Sequence, residues 1–295
     1  KSGLLIAKSY ALTIDRFGMG VNRAGGAETR YNDGRFRFGM PSERSGFARF
    51  MKETQAIIER VRRVNDSHQH LHLAVDPSLS ALMPGQSVLA RVADRWEPYL
   101  REHWWPVGIG NNQLVVERPL TSRYEPGQVV DLLGIVGQPF RFRRTLRNVL
   151  LIAYDSDPTP LIMPIAPLLA SRVSVTLLLL GSAAQYGTGH LPPEVEVLHG
   201  DSDLNWSNRV TTIGWADQVL VVVTPGDELN CFQRVWQTFS NLRSEIPSGY
   251  LFGVFRPLLP CGVGACSACM VRLRGSMALI CAEGPSVDLA EVPLT

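Results

Sequence analysis

Cysteine is scarce in this chain, with only five among 295 residues. Strong net charge is also missing, because 29 lysine and arginine residues face 27 acidic ones, and this balance argues against a nucleic-acid partner. The longest apolar stretch is interrupted by Pro164, Pro167 and Arg172, so the sequence predicts no transmembrane segment. The apolar run near the start is too short for a secretory signal, and none is expected.

Four of the five cysteines nevertheless lie close together, in "CGVGACSACMVRLRGSMALIC". Cys261, Cys266, Cys269 and Cys281 have the spacing C-x4-C-x2-C-x11-C. The first three match the plant-type ferredoxin run, in which a fourth thiolate arrives from further along the chain. Two bridged ferric ions need four soft anionic ligands, so we predict that these residues ligate a [2Fe-2S] cluster. Cluster cysteines must stay reduced, which indicates a cytoplasmic protein.

Small residues separate these cysteines. Gly262 and Gly264 lack a Cβ, so they can adopt left-handed conformations and turn backbone N–H groups toward the cluster. A structural zinc site remains the alternative, although its usual paired CxxC signature is present only once, at Cys266 and Cys269. A disulfide framework would suit a small secreted domain instead. The fifth cysteine, Cys231, is predicted to be a buried thiol in a helix.

The texture of the sequence changes along the chain and predicts a multidomain β plus α/β protein. Residues 1–50 are rich in arginine and glycine without a sustained period, so we expect an extended N-terminal arm that contacts a partner or the chain itself. Residues 51–145 alternate short β-forming runs with turns, as in a small antiparallel β-barrel. Residues 146–245 alternate apolar strands with helices, as in a parallel-sheet nucleotide domain. Residues 246–295 form the [2Fe-2S] lobe.

One strand of the predicted barrel carries histidine at alternate positions. In "HQHLHLAV", His68, His70 and His72 share one face, and the intervening leucines share the other. Three histidines so placed could bind a metal ion. The outer face of a half-buried strand explains the same pattern and is the interpretation we favour.

With this order of domains, the chain resembles the electron-transfer subunit of class B dihydroorotate dehydrogenase, within the ferredoxin-reductase-like superfamily. The resemblance covers roughly residues 55–290. The segments that carry it are "MPGQSVLARV" (83–92), "EPGQVVDLLGIVGQPF" (125–140), "LLIAYDSDPTPLIMPI" (150–165), "ADQVLVVVTP" (216–225), "CGVGACSAC" and "CAEGP". It implies FAD in the cleft between the barrel and the α/β domain, NAD(H) on the second domain, and a cluster that passes electrons to a catalytic partner.

The family's flavin motif is incomplete here. That motif is Arg-Pro-x-Ser/Thr, and its counterpart by position, "HWWPVGI", retains Pro106 but offers Trp104 and Gly108 where Arg and Ser are expected. A literal "RPLT" at 118–121 lies only four residues before the second "PGQ", which indicates coincidence. Trp104, Pro106 and Gly108 are therefore the candidate FAD contacts. Tryptophans that fill the cleft in place of a flavin are the alternative.

The family's nucleotide-binding turns are also changed. A glycine-rich loop normally brings phosphate to the N–H groups of a helix, but the loop here is "YDSDPTP". It lacks glycine, adds Asp155 and Asp157, and contains prolines, which have no N–H group. The Cys-Gly-Pro turn after "ADQV" is replaced by "VTPGDE". These changes argue against NAD(P) binding.

The sequence therefore predicts an oxidoreductase component, rather than a stand-alone catalyst. The favoured function is a one-electron carrier that holds a [2Fe-2S] cluster and relays electrons to or from a protein partner in a redox complex. One alternative is an active FAD-containing electron-transfer subunit of a dihydroorotate dehydrogenase-like enzyme. The other is a structural subunit whose cluster only stabilises the fold.

Overall fold

The computed structural model describes residues 51–93 and 99–294, which form two large sheets and a small hairpin. The predicted arm, 1–50, lies outside the described residues. Seven strands form an antiparallel half-barrel in the order β4-β3-β7-β1-β2-β6-β5. They are β1 Lys52–Arg63, β2 His68–Ala74, β3 Ser87–Val92, β4 Glu102–Trp104, β5 Pro106–Gly110, β6 Gln113–Pro119 and β7 Val129–Val136.

Alternation of apolar and polar residues makes these segments strands with one buried face. In β7, Val130, Leu132 and Val136 are buried, while the residues between them are partly exposed. In β2, Leu71 and Leu73 are fully buried and pack in the core of the half-barrel. The predicted antiparallel β domain is thereby confirmed as a half-barrel sheet.

The second sheet has six strands in the order β10-β9-β8-β11-β12-β15. Neighbouring strands are parallel throughout, except that β15 runs antiparallel to β12. The central strands are mostly apolar and are buried along nearly their whole length, as expected for a sheet that is covered on both faces. The strands are β8 Asn148–Tyr154, β9 Ser174–Leu180, β10 Glu196–Gly200, β11 Gln218–Val223, β12 Leu251–Val254 and β15 Ser286–Asp288.

Helices and a short hairpin cover this sheet and extend it. The α-helices are α1 Ile165–Ala170, α2 Arg209–Trp215, α3 Glu228–Leu242 and α4 Ile280–Glu283; short 3-10 turns are Pro77–Ala81, Thr159–Leu161 and Gly181–Gln185; the hairpin strands are β13 Met270–Arg272 and β14 Met277–Leu279. Helix α3 buries Phe232, Val235 and Phe239 against the sheet, together with the predicted buried thiol of Cys231. Helix α1 is short, and the 3-10 turn Thr159–Leu161 precedes it.

The parallel-sheet α/β architecture is confirmed. The division into domains stays a prediction, and β12 and β15, both from the predicted cluster lobe, pair within the α/β sheet. No helix formed by the described residues combines the length and apolar character needed to cross a membrane.

Candidate metal centre

The four clustered cysteines lie between β12 and β15, on a loop and on the short helix that follows the hairpin. Cys261, Cys266 and Cys269 belong to the loop before β13, and Cys281 lies in α4, directly after β14. Pairing of β13 with β14 returns the chain, so that the N–H of Cys281 points at the Cys269 sulfur, 3.4 Å away. The hairpin thus brings the fourth cysteine to the loop, as the spacing predicted.

Backbone conformation lets the loop bend around the thiols. Gly262 and Gly264 have φ values of 66° and 75°, in the left-handed region that favours glycine. The N–H of Gly264 donates to the Cys281 sulfur at 3.1 Å. A Cβ on Gly262 would lie 2.8 Å from Cδ1 of Leu89, so the loop also packs closely against β3 of the half-barrel. Both glycines have the geometry that the sequence predicted for the cluster loop.

The thiols affect one another's protonation. Burial of Cys261 opposes ionisation, but N–H groups of Cys266, Val263 and Ala265 outweigh it and lower its pKa to about 7. Burial and the neighbouring Cys269 raise the pKa of Cys281 to about 12. The loop therefore favours the thiolate form of Cys261, whereas the thiolate form of Cys281 needs a cation to offset its charge.

The site has a buried side and an exposed side. Cys269 and Cys281 are 3% and 1% exposed, whereas Cys266 is exposed and Cys261 is partly exposed. None of the cysteines forms a disulfide. Four soft sulfur donors, a slim loop and N–H groups aimed at sulfur fit an iron–sulfur cluster held near the surface.

The half-barrel anchors the buried side of this site. The N–H of Gly137, after β7, donates to the carbonyl of Cys281 at 3.0 Å. The amide of Gln138 donates to the carbonyl of Ala282 at 2.9 Å. The fourth cysteine is therefore fixed by contacts to the half-barrel as well as by its own hairpin.

The candidate flavin residues do not share one surface. Trp104 is fully buried in the core of the half-barrel, edge-on to Tyr124 and beneath the guanidinium of Arg118. Pro106 is buried and Gly108 is partly exposed, both on β5. The residue directly before Pro106 is Trp105, which packs with the α/β core instead. A flavin role for Trp104, Pro106 and Gly108 stays a prediction.

The turn after β8, where the family binds phosphate, uses its polar groups on its own surroundings. Oδ1 of Asp155 accepts from the N–H of Ser182 at 2.9 Å. Oδ1 of Asp157 lies 3.4 Å from Nε2 of His68, on β2 of the half-barrel. Both carboxylates, which the sequence predicted would repel an anion, therefore make contacts within the protein.

The carboxyl ends of β8, β11 and β12 are likewise occupied by side chains. Arg256, just after β12, donates to the Ser156 hydroxyl at 2.5 Å and to the Val223 carbonyl. Burial lowers the pKa of Arg256, while the carboxylates of Glu228 and Asp157 oppose that shift. A buried guanidinium with these partners fills the edge where parallel sheets of this kind usually receive ligands.

A second polar cluster, which the sequence did not predict as a unit, joins the two sheets. Glu117 of β6 accepts from Thr159 at 2.6 Å, from Tyr186 at 2.8 and 3.0 Å, and lies 3.1 Å from Nε2 of His70. His190 lies beside them, with its Nε2 3.8 Å from the same carboxylate. We call these five residues the junction cluster. The only trace in the sequence was the histidine alternation in β2.

Hydrogen bonding keeps the buried carboxylate ionised. Burial alone would raise the pKa of Glu117, but hydrogen bonds from His70, Thr159 and Tyr186 hold it below its ordinary value. Burial and the Glu117 charge raise the pKa of the Tyr186 hydroxyl, which therefore stays a donor. Glu117 is therefore a hydrogen-bonded ion rather than an isolated buried charge.

An antiparallel half-barrel followed by a parallel α/β sheet is the architecture of ferredoxin-reductase-like proteins, and this chain adds a four-cysteine loop to it. A solved NADH-dependent reduced ferredoxin-NADP oxidoreductase is similar, with a TM-score of 0.62 and 17% identity over 81% of this chain and 90% of that one. The FAD/NAD-binding domain of nitric oxide dioxygenase from Vibrio cholerae O1 biovar El Tor has a TM-score of 0.55 and 13% identity over 69% and 98%. At these identities, the likeness concerns the fold.

The cysteine segment gives the more specific match. Residues 257–293 match the family model of the iron-sulfur cluster binding domain of dihydroorotate dehydrogenase B. This segment contains all four clustered cysteines. The resemblance to the electron-transfer subunit that the motifs indicated is thereby supported. No curated protein matches the chain.

Proposed function

We propose that this chain is an electron-transfer subunit that carries a [2Fe-2S] cluster on Cys261, Cys266, Cys269 and Cys281. The observation that supports this most is the convergence of four thiols, with N–H groups of the loop directed at sulfur, inside a segment of an iron–sulfur family. Such a cluster supplies one reversible electron at a potential tuned by hydrogen bonds to its sulfurs. The protein's part is to hold the ligands and limit water.

The arrangement of the lobe supports exchange of electrons with a second protein. Cys266 lies on the exposed side of the site, whereas Cys269 and Cys281 are shielded by the core. The loop and hairpin also expose Val263, Met270 and Met277, with 45 to 51% of each side chain accessible. Exposed apolar side chains beside a redox site suit a protein docking surface. The partner is a protein of a redox complex, and the arm at 1–50 is a further candidate contact.

The proposal includes loss of NAD(H) binding. It is supported by the turn after β8, where aspartates and prolines replace a phosphate-binding loop, and by Arg256 at the strand ends. For FAD the residues fit less well than for the cluster, since Trp104 lies in the half-barrel core and the junction cluster bridges the two sheets directly.

Anaerobic purification of the full chain tests the proposal. We expect two irons and two acid-labile sulfides per chain, a visible spectrum that bleaches with dithionite, an EPR signal from the reduced form and no released flavin. NADH should leave the cluster oxidised. Zinc in place of iron would contradict the cluster, and a cluster that no redox donor reduces would contradict electron transfer. Stoichiometric FAD with reduction by NADH would instead establish the flavin-containing alternative.

A further inference from the structure

Three metal-binding side chains of the junction cluster converge on one point. Nε2 of His70 lies 3.1 Å from Oε2 of Glu117, and Nε2 of His190 lies 3.8 Å from the same oxygen. All three ligand atoms lie within 4.8 Å of one another. They come from distant parts of the chain: β2, β6, and the loop after the 3-10 turn Gly181–Gln185.

The fold holds these side chains in place before any ion arrives. His70 and Glu117 are cross-strand partners in β2 and β6, so their side chains leave the same face of the half-barrel. Tyr186, four residues before His190, donates to Glu117 and ties the loop to the carboxylate. The side chains of Glu117, His190 and His70 are 0%, 12% and 16% exposed, which shields the point from water.

Both carboxylate oxygens of Glu117 accept hydrogen bonds, but the imidazole nitrogens of His190 are less well paired. Nε2 of His190 lies 3.2 Å from the Tyr186 oxygen, whose single proton serves the carboxylate. Nδ1 of His190 is buried without a well-formed hydrogen bond, although the ring lies near the backbone of Gly187. Two imidazole nitrogens facing one ionised carboxylate form a donor set that a divalent cation would satisfy.

We propose that Nε2 of His70, Oε2 of Glu117 and Nε2 of His190 bind one Zn²⁺ ion. Zinc takes imidazole nitrogen and carboxylate oxygen at about 2.0–2.2 Å in a tetrahedron, which places neighbouring ligand atoms about 3.3–3.5 Å apart. The observed separations of 3.1 and 3.8 Å lie close to that edge. Two imidazoles favour zinc over magnesium or calcium, which prefer oxygen ligands. The hydroxyl of Tyr186 lies 2.8 Å from Oε2 of Glu117 and 3.2 Å from Nε2 of His190, beside the proposed ion.

This site is separate from the four cysteines and has a different consequence. His70 and Glu117 belong to the half-barrel, whereas His190 follows β9 of the α/β sheet. An ion bound by all three side chains joins the two sheets. Because the ion binds the folded chain and not the unfolded one, it must stabilise the folded chain. Zinc should therefore raise the unfolding temperature without changing the EPR signal of the cluster.

Zinc analysis of the cluster-loaded full chain tests the site. After treatment with a chelator and addition of micromolar free zinc, we expect one zinc per chain and a higher unfolding temperature. X-ray absorption at the zinc edge should give nitrogen and oxygen neighbours without sulfur. His190→Ala and Glu117→Gln should bind zinc at least ten-fold more weakly. His72→Ala is the matched control, because His72 lies on the same face of β2 beside Arg60 and outside the site.

Several results would overturn the proposal. The wild-type chain could retain no zinc, its zinc could have sulfur neighbours, or His190→Ala could bind zinc as tightly as His72→Ala. If His190→Ala does not fold, zinc content and the absorption edge of the wild-type chain decide the question. Iron content and the EPR signal, measured on the same samples, report separately on the proposed electron-transfer function.

Discussion

The cysteine loop and the turn after β8 occupy comparable positions, since each follows a strand of the same parallel sheet. In the cysteine loop, small residues leave sulfur atoms that accept hydrogen bonds from backbone N–H groups and lie within hydrogen-bond reach of one another. In the turn after β8, Asp155 bonds to Ser182, and Asp157 lies beside His68. The donors of the cysteine loop point at sulfur atoms, whereas the polar groups of the turn after β8 join neighbouring elements of the protein.

The same contrast applies to packing. Glycine at 262 lets the cysteine loop lie against Leu89 without filling space near the sulfurs. At the junction between the sheets, Trp105 packs with Leu161 and Ile162 in the apolar core, and Glu117 gathers the polar side chains nearby. The half-barrel and the α/β sheet are therefore joined directly by protein contacts at this junction.

The first prediction has the largest expected effect and concerns the cysteine loop. Cys266→Ser replaces one soft thiolate ligand with a hydroxyl, so we expect complete loss of the cluster EPR signal and of the visible spectrum. Cys231→Ser is the matched control, because Cys231 is buried in α3 among the sheet's apolar side chains. Equal loss of the signal in both variants would mean that the ligand set is wrong.

The second prediction breaks the junction. Tyr186→Phe removes the hydroxyl that bonds both oxygens of Glu117, at 3.0 and 2.8 Å, and leaves the buried carboxylate short of donors. Hydrogen bonds to charged groups contribute about 1.5–3 kcal/mol, so we expect the free energy of unfolding to fall by about 2 kcal/mol. Denaturant titration measures it. Tyr99→Phe is the control, since Tyr99 is 77% exposed. Equal stability of the two variants would show that the junction contributes little.

The cysteine loop could be predicted from the sequence to a greater extent than the junction between the sheets. The meeting of Cys281 with the cysteine loop could be predicted because the requirement is local: four cysteines, Gly262 and Gly264 lie within twenty-one residues, and the hairpin before Cys281 is short. The half-barrel could be predicted because apolar and polar residues alternate along its strands. The parallel sheet could be predicted because its strands are continuously apolar runs, as buried strands are.

The junction cluster could not be predicted, because its members are separated by up to 120 residues and meet only through the packing of two sheets. His70 stood out by alternation, but nothing near Glu117 or His190 marks them as its neighbours. The place of Trp105 depends similarly on which face of β5 meets the α/β core. Such contacts follow from the tertiary arrangement, which spacing along a single sequence does not contain.

The third prediction sharpens the packing side of the comparison. Gly262→Ala places a Cβ on a residue with φ of 66°, 2.8 Å from Leu89. A left-handed alanine costs about 1–2 kcal/mol, and we expect a loss of unfolding free energy in that range, with lower cluster occupancy. Gly275→Ala is the matched control, because a Cβ there meets nothing within 4 Å. Full iron content and unchanged stability in Gly262→Ala would contradict the proposed role of this glycine.

The smallest expected effect concerns His103, whose imidazole lies 2.5 Å from the hydroxyl of Ser87 and near Arg256 and Arg118. Burial and the two guanidinium groups lower the pKa of His103 to about 3. The unfolded chain therefore takes up a proton below about pH 6.5 that the folded chain does not, and the free energy of unfolding falls as the pH falls. The slope has an upper limit of about 1.4 kcal/mol per pH unit, and residual exposure of His103 should keep it below that limit.

Denaturant titrations between pH 7.5 and 5 should give a flatter profile for His103→Gln, which keeps a polar group beside Ser87 but does not titrate. Parallel profiles for the wild-type chain and His103→Gln would contradict this prediction. They would mean that His103 takes up its proton as readily in the folded chain as in the unfolded one, so that solvent, and not the two arginines, sets its charge.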